Sequence, residues 1–319
     1  MKRSLATIIV VVIFCCLNTV RGEELFLDLS EATDLGIYAD GHRVTRYGFN
    51  ISPDGTKIAY ILDIDGNFTE LWEYDIEEGK AQRLYNIEGA PEARINYRFV
   101  FNPRYSPDGE KILFRITGER GSNAYVIDRN SGEVNQITNT SNTSNISGSS
   151  LGWKDKDTIY FFTREGNVWM SDLNGRQKAK LLSGKNIYIY PSPDWQQICI
   201  LTRHKIPRGK SYDRYYTVGI MNTETKEVTE IIGKKNGFQG RDLVWVNNKE
   251  LAFTIDEDVK GGRMPAKIWL MDVVTGKQRK LIDGYLIGYL SLDHSIIYFK
   301  SDFLNQKALR YKMYKTRVQ

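Results

Sequence analysis

Histidine and cysteine are scarce in this chain, which has three of each in 319 residues. His42, His204 and His294 are far apart, and no His-x-x-x-His or Cys-x-x-Cys pair occurs, so no local zinc-binding motif is present. Histidine-dependent or metal-dependent catalysis would have to assemble from distant loops. We therefore expect no metal site, no cofactor and no catalytic residue.

Long apolar runs are also missing after the first residues of the chain. Lys2 and Arg3 precede an uncharged apolar stretch over 5–17, and residues 20–22 offer a small-residue cleavage site. This arrangement is typical of a signal peptide, and the run is too short to span a bilayer. We predict a signal peptide over 1–22 and an exported protein, periplasmic or secreted, that is not transmembrane.

Two cysteines fall inside this segment, and a lipid anchor at Cys15 or Cys16 is the alternative to simple cleavage. Cys199 is the only cysteine after residue 22, so the remainder of the chain contains no second cysteine for an internal disulfide. Its apolar neighbours predict a small buried residue in a strand. A monomer is the default expectation.

The charge balance also restricts the partner. Removal of residues 1–22 would lower Lys plus Arg from 44 to 41 against 39 acidic residues, which leaves a net charge of +2. Binding to nucleic acid requires a concentrated basic surface. We therefore expect a protein or peptide partner and no nucleic acid.

What the sequence does contain is a repeated turn. Ser-Pro-Asp-Gly occurs at 52–55 and 106–109, and Ser-Pro-Asp-Trp occurs at 192–195, each time before a short apolar run. Proline presets φ for a turn, and glycine allows the positive φ that such turns need. The predicted structural turn residues are Pro53, Asp54, Gly55, Pro107, Asp108, Gly109, Pro193 and Asp194.

A second repeated pattern, Asp followed by Gly between two apolar runs, predicts a hairpin about 20 residues after each turn. Six such units begin near residues 52, 106, 153, 192, 245 and 291, at a mean step of about 48 residues, which is typical of propeller repeats. The prediction is an all-β protein, a six-bladed β-propeller with blades of four antiparallel strands.

Together, the Ser-Pro-Asp-Gly turn, the Trp/Tyr-x-x-Asp strands and the Gly-Lys hairpins resemble the TolB-type propeller family, with its WD-like repeats. The resemblance covers 45–319 and implies an exported six-bladed interaction scaffold. Similar blades precede the catalytic domain of prolyl oligopeptidase and dipeptidyl-peptidase-like enzymes, and some relatives are carbohydrate lyases. TolB carries an α/β domain before its propeller, whereas only residues 23–44 separate the predicted cleavage site from the propeller here.

The predicted domains are the signal peptide over 1–22, an N-terminal closing segment over 23–44 and the propeller over 45–319. Residues 24–29 alternate in polarity and predict a strand that closes the ring against the last blade, which would remove exposed sheet edges.

One short segment resembles the start of a calcium-binding loop. Asp63 and Asp65 place carboxylates at alternate positions, but the following glycine comes too early and Tyr74 stands where a glutamate is required. We expect an ordinary hairpin loop there and no bound metal.

Tyrosine and arginine occur together in several predicted loops, and these residue types dominate recognition surfaces. The longest predicted loops cover 118–123, 203–214 and 256–266. Loops that lengthen on a rigid scaffold commonly carry binding sites. The candidate binding residues are Arg94, Tyr97, Arg98, Arg208, Tyr212, Arg214, Tyr215 and Arg263.

These observations predict a non-catalytic binding scaffold that recognises a protein or peptide through loops on one propeller face. One alternative is a lyase or hydrolase that acts on saccharide or peptide at the central channel, and a second is a small-ligand or cation binder. A cluster of His, Asp, Glu and Arg at the channel mouth would favour catalysis.

Overall fold

Among the residues that the structure describes, the regular secondary structure consists of β-strands. A computed structural model describes residues 33–34, 43–64, 67–87, 99–118, 121–138, 146–163, 166–176, 178–208, 211–233, 241–256, 266–283, 285–290, 295–302 and 310–317. The predicted all-β class is confirmed for these residues. Within them, no helix is long and apolar enough to cross a bilayer. The predicted signal peptide and the predicted strand over 24–29 lie outside the described residues.

The strands follow one another in groups along the chain. The first is the short β1 (Thr33–Asp34). Blade 1 contains β2 (Arg43–Ile51), β3 (Lys57–Ile64), β4 (Asn67–Asp75) and β5 (Lys80–Asn86). Blade 2 contains β6 (Phe99–Tyr105), β7 (Lys111–Gly118), β8 (Gly121–Asp128) and β9 (Val134–Gln136). Blade 3 contains β10 (Ile146–Trp153), β11 (Thr158–Thr163), β12 (Asn167–Asp172) and β13 (Lys178–Ser183).

The second half of the chain continues the pattern. Blade 4 contains β14 (Ile187–Pro191), β15 (Gln197–Arg208), β16 (Ser211–Asn222) and β17 (Val228–Ile232). Blade 5 contains β18 (Arg241–Asn247), β19 (Glu250–Asp256), β20 (Ala266–Asp272) and β21 (Gln278–Asp283). The last strands are β22 (Tyr285–Leu290), β23 (Ser295–Asp302) and β24 (Arg310–Arg317).

Among the described residues, five blades are built from four antiparallel strands consecutive in the chain. The prediction of six blades is therefore wrong in its count, because only five blades are formed from consecutive strands among the described residues. The last unit supplies only β22, β23 and β24, and its four-stranded sheet is completed by β1. β1 pairs with β24 through Thr33↔Lys315 and Asp34↔Tyr314, so the N-terminal part of the chain does join the C-terminal sheet, at residues later than the predicted 24–29.

The sheets are arranged in a ring. The first strand of each sheet contacts the first strand of the next one, and β22 contacts β2. The apolar core lies between neighbouring sheets: Ile61 and Leu71 of blade 1 pack in one cluster with Ile112 and Phe114 of blade 2. Because both faces of a blade are covered in this way, its central strands read as short, nearly continuous apolar runs.

The repeated Ser-Pro-Asp-Gly turns have the structure expected of them. Gly55 and Gly109 have φ of 72° and 75°. In the first turn the Ser52 hydroxyl donates to Asp54 Oδ1 at 2.5 Å, and the Thr56 N–H donates to the same oxygen at 3.0 Å. Each turn joins the first strand of its blade to the second, so the blades begin one strand earlier than the sequence units.

An aromatic residue at the end of the first strand links several blades to the preceding one. Trp153 donates its indole N–H to the carbonyl of Arg104 at 2.9 Å, and Trp245 donates to the carbonyl of Tyr190 at 2.7 Å. Tyr105 occupies the equivalent strand register in blade 2. These hydrogen bonds satisfy polar groups that would otherwise be buried without partners between the sheets.

Candidate functional site

The second and third strands of blade 4 are the longest in the described structure. β15 and β16 have 12 residues each and pair without interruption from Gln197↔Asn222 to Arg208↔Ser211. The neighbouring strands stop earlier, because β14 pairs only as far as Thr202 and β17 begins its pairing at Val218. Residues 203–208 and 211–217 therefore form a two-stranded extension, about 20 Å long at the usual rise per residue, which we call the projecting ribbon.

This ribbon corrects the prediction of a loop over 203–214. The two runs are joined by Gly209 and Lys210, and a two-residue connection that begins with glycine is a hairpin signal. That signal is present in the sequence. A similar correction applies to the predicted loop over 118–123, because Gly118 pairs with Gly121 at the end of the β7–β8 hairpin.

The base of the projecting ribbon is held against the first strand of blade 4. The guanidinium of Arg203 lies over the ring of Tyr188, 5.9 Å from its centroid, and also donates to Asn186 Oδ1 at 3.3 Å. Tyr216, which pairs with Arg203 across the ribbon, packs edge-on against Tyr188 with 6.2 Å between ring centroids. These contacts fix the direction in which the ribbon leaves the sheet.

One residue further out, His204 and Tyr215 pair across the ribbon. Their rings stack with centroids 4.8 Å apart and planes inclined by 19°. Nε2 of His204 also lies 3.1 Å from Oγ1 of Thr217. Both rings are partly exposed, so this pair adds a rigid aromatic surface to the ribbon. Rigid aromatic surfaces contribute contact area at a low cost in conformational entropy.

The ribbon is strongly basic in sequence. Residues 203–216 contain five Lys or Arg and a single acidic residue, Asp213. Lys205 and Arg214 are paired directly across it.

Half of the candidate binding residues meet on this one element. Arg208, Tyr212, Arg214 and Tyr215 all lie in β15 or β16. Arg94, Tyr97, Arg98 and Arg263 lie outside the described residues.

The segment that resembles a calcium loop belongs largely to strands β3 and β4. Asp63 is in β3, and Ile64 pairs with Asn67 at the start of β4, so most of the positions that a calcium loop would need belong to a strand. Asp65 lies outside the described residues. Among the residues that the structure describes, no group of three or more His, Cys, Asp and Glu could hold a metal ion.

Comparison with solved structures assigns the architecture. TolB from Acinetobacter baumannii matches with a TM-score of 0.56 at 16% identity, over 83% of this chain and 64% of that one. Oligogalacturonate lyase from Vibrio parahaemolyticus matches with a TM-score of 0.55 at 13% identity, over 86% and 78% of the two chains. The β-propeller domain of the trilobed protease from Pyrococcus furiosus matches with a TM-score of 0.52 at 14% identity, over 89% and 83%. This chain has the β-propeller fold.

The likeness extends to architecture and no further. The chain spans less than two thirds of the length of the Acinetobacter TolB, and the similar structures include a lyase and a protease domain. No family model matches the sequence, and no curated protein matches it. The function of this propeller must therefore be argued from its own residues.

A buried charged cluster between blades 1 and 2 is the other chemically distinctive part of the propeller. The Glu73 carboxylate accepts hydrogen bonds from Arg129 Nε at 2.6 Å, from the Tyr105 hydroxyl at 2.8 Å and from the amide of Gln82 at 3.0 Å. Arg129 also donates to the carbonyl of Gly109 at 2.6 Å. Glu73 is 2% exposed and Tyr105 is 6% exposed, so the cluster joins two blades in a largely buried position.

The pKa values in this cluster follow from that enclosure. Burial alone would raise the pKa of Glu73, but the hydrogen bonds from Arg129 and Tyr105 outweigh it and bring the pKa below 4.5. Burial and the adjacent negative carboxylate raise the pKa of Tyr105. Both groups therefore keep one protonation state over the neutral range, as expected of a structural ion pair.

The lowered pKa of Glu73 predicts a loss of stability in acid. Because the carboxyl binds its proton less readily in the folded state, its contribution is complete above the unfolded value of 4.5 and is lost as the pH falls through the folded pKa. We expect the melting temperature to fall more steeply below pH 4.5 for the wild type than for Glu73→Gln, measured by thermal unfolding from pH 7 to 3. Parallel profiles would contradict this assignment.

Two further sequence features lie within strands of the described structure. Gly148-Ser149-Ser150-Leu151-Gly152 matches the Gly-x-Ser-x-Gly pattern of hydrolase nucleophile elbows. It lies inside β10, where Leu151 pairs with Phe161 of β11, so it has no strand-to-helix turn. Cys199 is completely buried, as predicted, and burial raises the pKa of its thiol, which keeps it unreactive.

Proposed function

We propose that this chain is an exported, non-catalytic binding scaffold that recognises a protein or peptide through the projecting ribbon. The observation that carries the proposal is the extension of β15 and β16 beyond the strands that flank them. A hairpin that needed only to complete its blade would end near Thr202 and Val218, where the flanking strands end. The additional residues are rich in Tyr and Arg, the residue types that contribute most to recognition.

The geometry of the base supports the same function. The contacts of Arg203 with Tyr188 and Asn186 hold the ribbon on a rigid ring of sheets, so little conformational entropy would be lost when a partner binds. The propeller thus acts as the support and the ribbon as the recognition element. Export is proposed from the signal-peptide pattern over 1–22.

The test compares Tyr215→Ala with a matched change elsewhere in blade 4. The protein is purified from the exported fraction, where its N-terminus should be Glu23, and the partner that it retains is identified and purified. Removing the Tyr215 ring should weaken binding of this partner about tenfold or more, without a change in melting temperature beyond that of an ordinary surface substitution.

The control is Val228→Ala, because Val228 is 56% exposed on the outermost strand of the same blade. It should leave the dissociation constant unchanged. Equal affinities for Tyr215→Ala and the wild type, or an equal loss for Val228→Ala, would contradict a binding role for the ribbon.

A further inference from the structure

The Arg203 side chain at the base of the projecting ribbon is only partly satisfied. A guanidinium has five N–H donors. One of them reaches Asn186 Oδ1 at 3.3 Å, and the group lies 5.9 Å from the centroid of the Tyr188 ring. The Nε–H is enclosed and has no hydrogen-bond partner among the residues that the structure describes. Within the same part of the chain, no Asp or Glu forms an ion pair with Arg203. The guanidinium therefore retains donors that a ligand can use.

Arg129 shows how an arginine with a structural role is arranged in the same propeller. It lies over the ring of Tyr105, 5.5 Å from the centroid, much as Arg203 lies over Tyr188. In addition, Arg129 donates two hydrogen bonds to the Glu73 carboxylate and one to the carbonyl of Gly109. Arg203 shares the aromatic contact but has no such carboxylate in the described structure. This difference favours an acceptor for Arg203 that comes from another molecule.

The backbone holds Arg203 in place before any partner binds. Its N–H donates to the carbonyl of Asn186 at 2.8 Å, directly before β14, and Asn186 has φ of 58°. A left-handed conformation is uncommon outside glycine, and it persists where the surrounding structure determines it. The hydrogen bond from the guanidinium to Asn186 Oδ1 is longer than usual at 3.3 Å. The head group can therefore shift toward a ligand at little cost while the backbone of the ribbon stays fixed.

The chemistry of this position suits a carboxylate. Arg203 is partly exposed, and the ring of Tyr188 shields one side of its guanidinium from water. Opposite charges attract each other more strongly in a partly shielded position than in bulk water. The planar fork of arginine matches the two oxygens of a carboxylate, and an enclosed N–H is costly until an acceptor is supplied. A carboxylate would therefore both neutralise the cation and satisfy its Nε–H.

We propose, on the basis of the proposed binding function, that the base of the projecting ribbon is a carboxylate-binding site. Arg203 pairs there with one carboxylate of the partner protein, beside the ring of Tyr188. The carboxylate belongs either to an Asp or Glu side chain or to the C-terminal residue of the partner. Its two oxygens accept from the Nε–H and from one Nη–H of Arg203, so the site uses the donor that has no acceptor among the described residues.

Nuclear magnetic resonance of the arginine side chains tests this site directly. In the nitrogen-15-labelled protein, the Nε–H signal of Arg203 is assigned through the backbone signals of the same residue. The probes are acetyl-Ala-Asp-Ala-amide, acetyl-Ala-Asn-Ala-amide, and acetyl-Ala-Asn-Ala with a free C-terminal carboxylate. We expect a saturable shift of the Nε–H signal with at least one carboxylate peptide, which identifies the source of the carboxylate, and at least about tenfold weaker binding of the neutral peptide. Equal binding of the neutral peptide, or no shift with either carboxylate peptide at about 10 mM, would overturn the proposal.

Two variants separate the guanidinium from general positive charge. Arg203→Lys keeps the charge but loses the planar fork, and it should weaken binding of the carboxylate peptide about tenfold, followed through the backbone signals of Asn186 and Tyr188. Lys185→Gln is the control, because Lys185 is exposed directly before Asn186 and the change removes a charge. It should weaken binding by less than about twofold. Equal losses in the two variants, or an equal shift with sodium sulfate at the same concentration, would overturn the proposal in favour of a general anion-binding surface.

Binding of the natural partner separates the carboxylate site from the proposed function. If Tyr215→Ala weakens this binding but Arg203→Lys does not, the ribbon is a recognition element and the carboxylate site is wrong. If neither change affects the natural partner, the ribbon itself is not the binding site. Circular dichroism and melting temperature show whether each variant has remained folded, and the comparison of the three peptides on the wild-type protein does not depend on the variants.

Discussion

Replacing Glu73 by glutamine should lower the free energy of unfolding by about 3 kcal/mol, one of the two largest effects that we expect from a single substitution in this propeller. The carboxylate is 2% exposed and accepts two hydrogen bonds from Arg129 and one from Tyr105. Without that charge, Arg129 would lose its hydrogen-bonded carboxylate, and only the weaker electrostatic attraction of Asp54 would remain. Removing one partner of a buried ion pair destabilises a protein more than replacing both partners by apolar residues, because it leaves a buried charge without its counter-charge.

Comparison with the other blades indicates why the cluster is specific to one junction. The strand register places Val126, Ile220 and Leu270 at the positions equivalent to Glu73. The residue that follows the turn aspartate is Arg129 in blade 2 but Leu173 in blade 3. An apolar junction is therefore compatible with this fold.

The measurement is chemical unfolding of four proteins. Glu77→Gln is the matched control, because Glu77 is exposed in the next turn, and it should be close to the wild type. A triple variant, Glu73→Leu with Arg129→Leu and Tyr105→Phe, removes the charges together with the hydroxyl and should recover most of the loss. If the triple variant is less stable than Glu73→Gln, the charged cluster contributes more to the free energy of unfolding than an apolar contact between the same two blades would.

The second large effect is expected at Gly175. This residue has φ of +68°, and a Cβ atom built on it would lie 2.2 Å from the carbonyl oxygen of Ile137 in the neighbouring blade. That carbonyl cannot easily retreat, because Ile137 is 4% exposed and its N–H is bonded to the carbonyl of Ala124 at 2.9 Å. Gly175→Ala should therefore destabilise the protein by about 2–4 kcal/mol, from the backbone conformation and the steric overlap together.

Gly132 provides the control for this prediction. It has φ of +73°, but nothing lies within 4 Å of a Cβ built there. Gly132→Ala should lower the free energy of unfolding by only about 1 kcal/mol, the cost of placing a residue with a Cβ in this left-handed backbone conformation. Thermal or urea unfolding of the two variants measures the difference, and equal losses would show that the approach of blade 3 to Ile137 has no energetic consequence.

The elements that the sequence predicted correctly are those specified within a few residues. The Ser-Pro-Asp-Gly turns, the positive φ of Gly55 and Gly109 and the strands around them depend on proline, glycine and short-range hydrogen bonds. Those interactions join residues at most five positions apart, as with Lys57 and Ser52. A local pattern is sufficient to predict such structure.

The predictions that needed correction depend on partners distant in sequence. The ribbon over 203–214 is an exception, because its Gly209-Lys210 connection is a local hairpin signal, and only its length beyond β14 and β17 depends on the neighbouring strands. The composite last sheet depends on the pairing of Thr33 with Lys315, which no local pattern encodes. The hydrogen bonds between Glu73 and Arg129 likewise join residues 56 positions apart.

Periodicity and turn chemistry are local properties, so the sequence alone is sufficient to predict a repeated turn and hairpin unit, buried strands and a propeller architecture. The length of the blade 4 hairpin beyond β14 and β17 and the ion pair between blades 1 and 2 depend on contacts between separate parts of the chain. Those features arise when separate parts of the chain meet in register, and the free energy of each depends on the neighbour that the fold provides.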